Sequence, residues 1–297
     1  MSRRVEKTTL GLIVLTYVVW ALATVWLAML WLPLAIIVTA LTMALHSSLS
    51  HEVLHGHPFA NQRLNEALVF PAIGLFIPYI RFRDTHLEHH IDDNLTDPYD
   101  DPESNFLDPA VWDAMPPFMR AVLRVNNTLL GRLVIGPVVA QVNFTGADWR
   151  LVRTGRTDVA WAWFWHFVGI IPVAFWLAYV AHMPVWAYVL AAYTGISIIK
   201  IRTFLEHRAF EQVKGRTVVI EDQGWLAFMF LNNNFHLVHH LHPGVPWYDL
   251  PKLYFAEPEQ YLQQNDGYRY ASYGEVFKRY LLHAKDQVPH PLWRSTK

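Results

Sequence analysis

Cysteine is absent from this 297-residue chain, which excludes disulfides, thiolate metal ligands and cysteine-held iron–sulfur clusters. Charge is scarce as well: 16% of residues are Asp, Glu, Lys or Arg, against 53% apolar ones, a balance too apolar for an ordinary soluble enzyme. With 24 basic residues against 25 acidic ones, no bulk field exists to recruit nucleic acid. No repeat, low-complexity tract or linker divides the sequence, so one membrane-embedded domain over residues 1–297 is expected.

Lysine and arginine are missing from two long stretches, between Lys7 and Arg63 and between Arg156 and Lys200. One crossing of a bilayer needs about 20 mostly apolar residues, so each gap is long enough for two. The expected fold is an all-α integral membrane protein with four transmembrane helices, at about 9–31, 34–57, 158–181 and 184–206. They pair as two hairpins, turning near Trp31–Pro33 and His182–Pro184. Neither turn carries a basic residue, so the positive-inside rule assigns 58–157 and 207–297 to a cytoplasmic helical cap. MSRRVEK ahead of so long an apolar run reads as an uncleaved anchor, because secretory h-regions span only ~7–15 residues. Leu64–Ile80, broken by Pro71 and Pro78, is expected to be interfacial or re-entrant. Ala121–Val142, holding Arg124 and Arg132, reads as one amphipathic surface helix. The acidic, proline-rich Ile91–Pro109 reads as a solvated loop.

Histidine is plentiful, with 16 residues, most of them clustered. HEVLH places His51 and His55 one helical turn apart on one face. THLEHH gives His86, His89 and His90, and HLVHH gives His236, His239 and His240, each triplet at i, i+3 and i+4. His51 lies 17 residues past Leu34, roughly 25 Å along a helix rising ~1.5 Å per residue, and so near the cytoplasmic end of the second span. A lone histidine cluster is commonly a surface or core feature, but eight imidazoles beside a membrane without a ligand leave many polar groups to satisfy. Eight imidazoles are too many for one zinc and suit two metals. A pair of irons with open positions can activate dioxygen against an unactivated C–H bond.

HEVLHGH, RDTHLEHH and NNNFHLVHHLHPGVPWYDLP together resemble the membrane fatty acid desaturase and hydroxylase family, in particular its bacterial members, over about His51 to Pro251. The resemblance implies a non-haem di-iron site with dioxygen as co-substrate, held by His51, His55, His86, His89, His90, His236, His239 and His240. It implies His207, in FLEHRAF, as a ninth ligand, and Asn232 as a position able to hold a metal-bound water, with Asn233 and Asn234 as alternatives. The first box departs from the common HxxxxH spacing, which His46 with His51 would supply. Glu52, Asp84, Glu88 and Glu206 lie beside ligands and can accept a hydrogen bond from a ligand's second ring nitrogen or serve as surface charges. His57 and His242 adjoin the boxes, whereas His166, His182, His283 and His290 read as ordinary residues.

The expected activity is acyl desaturation on a membrane lipid or amphiphile, in a bacterial inner membrane with the active site on the cytoplasmic side. Hydroxylation or ketolation of a lipid, a carotenoid-like or a smaller amphiphilic molecule is the alternative. No flavin fingerprint occurs and HPGV at His242 lacks a haem domain around it, so a separate donor is expected, a ferredoxin or cytochrome with its reductase. HEVLH also matches a zinc metalloprotease, with Glu52 as general base, but that chemistry leaves both HxxHH triplets without a purpose. A histidine-lined metal transporter would place its ligands near the middle of the spans.

Overall fold

A computed structural model describes residues 5–91 and 95–293. In chain order its helices are α1 (Lys7–Leu30), α2 (Leu32–Leu54), α3 (Gln62–Val69), α4 (Tyr79–Ile91), α5 (Pro109–Ala114), α6 (Pro117–Asn126), α7 (Leu129–Val134) and α8 (Gly136–Arg153). They continue as α9 (Thr157–Tyr179), α10 (Val185–Arg202), α11 (Trp225–Met229), α12 (His236–Leu241), α13 (Leu250–Ala256), α14 (Pro258–Gln264) and α15 (Tyr273–Tyr280). The strands described are two residues each, β1 (Val219–Ile220) and β2 (Arg269–Tyr270), paired in parallel. Four helices, α1, α2, α9 and α10, are long and apolar enough to cross a membrane. The chain divides into two compact units, one of Met1–Asp84 with Pro137–Ile199, the other of Thr85–Gly136 with Lys200–Lys297.

The first unit is built around the four long helices. Its core joins Trp20, Ala35, Ala40, Met43, Val173, Met183, Ala187, Tyr188 and Ala191, small residues letting backbones approach and aromatics filling the remainder. Large apolar side chains point outward along the same helices, among them Val14, Trp26, Ile37, Phe167, Ile171 and Trp186, as expected where lipid replaces water. Within α1, Ala23–Leu27 widen into a π-turn, which releases the Thr24 carbonyl from the regular ladder. That carbonyl accepts from the amides of His182 and Met183, at 3.0 and 3.1 Å, in the turn before α10.

Residues 70–78 are irregular, and the reason lies in their prolines and in the donors around them. The spans and α8 satisfy this backbone side chain by side chain: Tyr188 Oη donates to the Ile73 carbonyl at 2.8 Å and Gln141 Nε2 to Phe76 at 3.1 Å, while Tyr17 Oη donates to Leu68 in the last turn of α3 at 2.8 Å. His166 Nε2 meets the Leu75 carbonyl at 2.8 Å, and the Ala72 amide donates to Gly169 at 3.1 Å. A Cβ on Gly169 would stand 2.6 Å from the Phe70 carbonyl oxygen, so only glycine admits this approach. Leu64–Ile80 is therefore no single helix: α3 ends at Val69 and α4 begins at Tyr79.

The expected single helix over Ala121–Val142 is corrected to the end of α6, all of α7 and the start of α8. Asn127 ends α6, and Thr128 caps α7 by accepting from the Gly131 amide at 3.0 Å. Gly131 permits the break, since a Cβ there would lie 1.8 Å from the Val125 carbonyl oxygen. In the second unit, Val219, Phe235, Leu237, Val238, Leu250, Tyr254 and Tyr261 form the core that seats α12 against β1, α13 and α14. Arg3 and Arg4 of the N-terminal segment and Asp92, Asp93 and Asn94 of the acidic loop lie outside the described residues.

Candidate metal centre

Seven of the nine expected ligands belong to the second unit, and three different local structures present them. His86, His89 and His90 occupy the last turns of α4. His207 follows α10 in an extended stretch bridged to Thr217, its carbonyl bonded by Lys285 Nζ and its Nδ1 lying 3.4 Å from Thr217 Oγ1. His236, His239 and His240 lie on α12, which enters from a tight turn in which Leu231 and Asn232 both have positive φ, 49° and 54°. For a leucine this left-handed conformation is strained by on the order of 1–3 kcal/mol. It is retained by the Asn232 amide bonding to Ala227 at 2.8 Å and by Asn234 Nδ2 donating to the carbonyls of Ile220 and Asp222.

These pieces bring the imidazoles into two groups. His89, His207, His236 and His240 form one, and His86, His90 and His239 another; within each group the ligand nitrogens all lie within 4.8 Å of one another. Nε2 faces Nε2 throughout: His89 to His207 at 3.0 Å, and His207 to His236 and His236 to His240 at 3.1 Å. In the other group His86 meets His90 at 3.0 Å and His90 meets His239 at 3.1 Å. The rings of His90 and His240 stack at 4.2 Å, so the groups adjoin. A triplet that reads as one patch in sequence is thus shared, His86 and His90 going to one group and His89 to the other.

The second ring nitrogens decide what these faces can hold. His86 Nδ1 lies 2.8 Å from Glu103 Oε1 and His89 Nδ1 lies 2.8 Å from Asp101 Oδ1. An ionised carboxylate only accepts, so both Nδ1 atoms carry hydrogen, and each ring, once it gives up its other proton, turns a lone pair inward at Nε2. His236 Nδ1 lies 3.0 Å from Asn233 Oδ1, with the same result. Several lone pairs converging at 3.0–3.1 Å repel one another unless a cation lies among them, and this is the spacing of neighbouring ligands each about 2.1 Å from a common ion. The donor set therefore suits a transition metal with borderline preference, such as iron or zinc.

The electrostatics agree. Burial, together with the charge of neighbouring rings, holds His207, His236 and His240 well below the ordinary imidazole value, and His90 is lowered to about 3 for the same reasons. Burial also opposes charge on His89, but the Asp101 hydrogen bond with the nearby carboxylates of Glu103 and Glu206 raises it to about 9. Burial would raise Glu103, yet the His86 ring and the hydrogen bond to it keep that carboxyl well below its usual range. Positive charge is favoured here while most rings refuse protons, a requirement that a metal ion meets.

Other expected residues have different surroundings. In the first unit His51 is buried and His55 half-buried at the C-terminal end of α2, with ring centroids 4.9 Å apart. Glu52 is buried beside them. His46 pairs with Tyr17 Oη at 3.0 Å and His57 with Glu6 at 2.7 Å. Asp84 is exposed and bound to Arg83, and Glu88 is exposed. Glu206 forms a 3.0 Å ion pair with Arg202 and stands 4.0 Å from His236 Nδ1. Asn232 donates to the Trp247 carbonyl at 3.1 Å, leaving Asn233 as the asparagine against His236. Asp101 and Glu103 went unremarked in the sequence because they sit in the acidic segment read as solvated; Leu95, Thr96, Asp101 and Phe106 of that segment are buried. The available signal was the position of the two acids, 11 and 13 residues after His90, the last histidine of the HxxHH triplet.

A search of curated proteins gives no match to the chain. The family model described as fatty acid desaturase matches residues 24–272, a stretch that takes in all the histidines of both groups, and the chain belongs to that family.

Proposed function

We propose that this oxidoreductase of the desaturase and hydroxylase type is a dioxygen-dependent, di-iron acyl desaturase that introduces a carbon–carbon double bond into a membrane lipid or related amphiphile. The observation that carries the proposal is the pair of adjoining imidazole groups whose Nε2 atoms stand 3.0–3.1 Å apart. One iron is assigned to His89, His207, His236 and His240 and the other to His86, His90 and His239, and the family resemblance implies His51 and His55 of the HEVLH box as further ligands. Two irons with open coordination positions supply dioxygen reduction and the power to take hydrogen from unactivated C–H bonds.

The chain's own residues do the rest. Asp101, Glu103 and Asn233 fix the rings to which they are bonded. Four apolar helices hold the chain in the membrane, where an apolar substrate is concentrated. Cysteine is absent, so no iron–sulfur relay is built in, and a ferredoxin or cytochrome with its reductase delivers the electrons at the cytoplasmic face of a bacterial inner membrane. In the balanced reaction, dioxygen takes two electrons from that donor with two protons from water, and two hydrogen atoms, each with its electron, from adjacent substrate carbons, and leaves as two waters.

The test is purification in detergent with metal analysis, paired with lipid and metabolite profiling of a host with and without the gene. Two irons per chain and a product short of two hydrogens support desaturation. A product gaining one oxygen replaces it with hydroxylation at the same site, and one zinc with peptide cleavage overturns the oxidative reading.

A further inference from the structure

The segment after α4 does more than connect. We propose that Asp101 is a single positioning residue for both imidazole groups, acting on one directly and on the other through Glu103; this rests on the assignment of those groups as metal sites. Asp101 is 5% exposed, and both carboxylate oxygens are engaged. Oδ1 accepts from His89 Nδ1 at 2.8 Å and from the Glu103 backbone amide at 2.9 Å, while Oδ2 accepts from the Thr96 amide at 2.7 Å. The amide bond to Glu103 fixes the backbone from which that side chain reaches His86 Nδ1, also at 2.8 Å. His89 belongs to the four-histidine group and His86 to the other. One buried carboxylate thereby sets the ring orientation of a ligand in each.

The surrounding loop is built to hold that carboxylate still. Thr96 has φ 74°, a left-handed conformation unfavourable for a β-branched residue, and it aims the Thr96 amide at Asp101. Ser104 Oγ donates to the Thr96 carbonyl at 2.9 Å and the Ser104 amide to the Asp101 carbonyl at 3.0 Å, closing the loop on itself. Arg216 anchors it by donating to the Leu95 carbonyl. Glu103 is held by less: its side chain is 27% exposed. Asymmetry between the two acids follows. Asparagine at 101 has one acceptor atom for three donors and must set its NH2 against an N–H, whereas glutamine at 103 can still accept from His86.

The experiment uses the full-length protein in detergent, stripped by chelation and titrated with Co2+, read by visible absorption and by metal content after desalting. Wild type is expected to take up two ions per chain. Asp101→Asn should weaken both binding steps by about 10- to 100-fold, Glu103→Ala only one of them, and Glu103→Gln should recover most of that loss. Asp100→Asn, altering an exposed neighbour, should match wild type. Unfolding of the stripped variants, followed by circular dichroism, separates misfolding from mispositioning. Should Asp101→Asn fail to fold, the Glu103→Ala and Glu103→Gln pair still decides through its one-step loss and recovery. Two tight ions in Asp101→Asn, or a loss confined to one step, overturns the shared role. Fewer than two ions in wild type overturns the two-metal assignment itself, and this inference with it.

Discussion

Replacing Tyr188 by phenylalanine deletes one oxygen and tests how the irregular stretch 70–78 is held. Tyr188 is fully buried; its hydroxyl donates to the Ile73 carbonyl at 2.8 Å and accepts from Trp20 Nε1 at 3.1 Å. The ring keeps its volume, so no cavity forms, and the cost is polar. Two hydrogen bonds are lost, worth about 0.6–1.7 kcal/mol each between membrane helices, and a buried carbonyl and indole N–H lose a partner, each with a desolvation penalty of about 1–3 kcal/mol where water cannot reach. Partial relaxation brings the expected destabilisation to about 2–4 kcal/mol. Denaturant titration of the purified protein in micelles, followed by Trp fluorescence, measures it, with Tyr179→Phe, 76% exposed, as the neutral control. A Tyr188→Phe curve overlying wild type would refute the view that span side chains carry this backbone.

Gly169→Val should be more damaging than Tyr188→Phe, because its first side-chain carbon would meet the Phe70 carbonyl at 2.6 Å; loss of expressed, folded protein checks this against Gly146→Val, where nothing lies within 4 Å. The natural absence of cysteine makes single-cysteine labelling direct: Leu64→Cys and Asp84→Cys, both exposed, are expected to react from the same side of intact vesicles, and Ile73→Cys, 1% exposed, to be protected. Labelling of the first two from opposite sides would refute re-entry. Acid should destabilise the stripped protein. Burial depresses His207, His236 and His240, so below an unfolded pKa of ~6.5 the unfolded chain takes protons that the folded one refuses, and stability falls. His89 works the other way, adding stability below ~6.5 that is lost as pH rises through about 9, but it is outnumbered. A thermal midpoint constant between about pH 7 and 5 would contradict this balance.

The four long helices were legible because charge exclusion over some 20 residues is a strong and nearly local signal. The histidine groups were legible because two triplets at i, i+3 and i+4 are a rare pattern in sequence. What stayed hidden depends on tertiary placement. HLEHH reads as one patch, yet adjacent His89 and His90 point to different groups, since a step of one residue turns about 100° around a helix. Asn232 and Asn233 are indistinguishable in NNN until the two left-handed residues fix which amide faces His236. An acidic loop with prolines is ordinarily solvated, and only the fold reveals that Asp101 turns inward. The amphipathic pattern over Ala121–Val142 hid two breaks for a similar reason: the deciding contact, Gly131 against the Val125 carbonyl, is a matter of sterics rather than polarity.

The four-histidine group also says how metal and fold depend on each other in the second unit. Its histidines come from the end of α4, from the stretch beyond α10 and from α12, His89 and His207 being 118 residues apart in the chain and His207 and His236 29 apart. None of them holds its neighbours by packing alone: α12 is six residues long, too short to persist unaided, and is seated by the Leu237 amide on the Val218 carbonyl at 3.1 Å and by the core under Phe235. An ion bound only when all three segments are in place stabilises the folded state by RT ln(1 + [M]/Kd), about 4 kcal/mol at a thousandfold excess over Kd. Metal is therefore expected to raise the unfolding midpoint of the second unit, including the loop around Asp101, with much less effect on the four-helix core around Tyr188. Hydrogen exchange with and without Co2+ distinguishes these regions: protection gained equally in α12 and in the buried turns of α1 and α9 around Trp20 and Val173, which carry none of the proposed ligands, would mean that the ion stabilises the whole chain as one cooperative body.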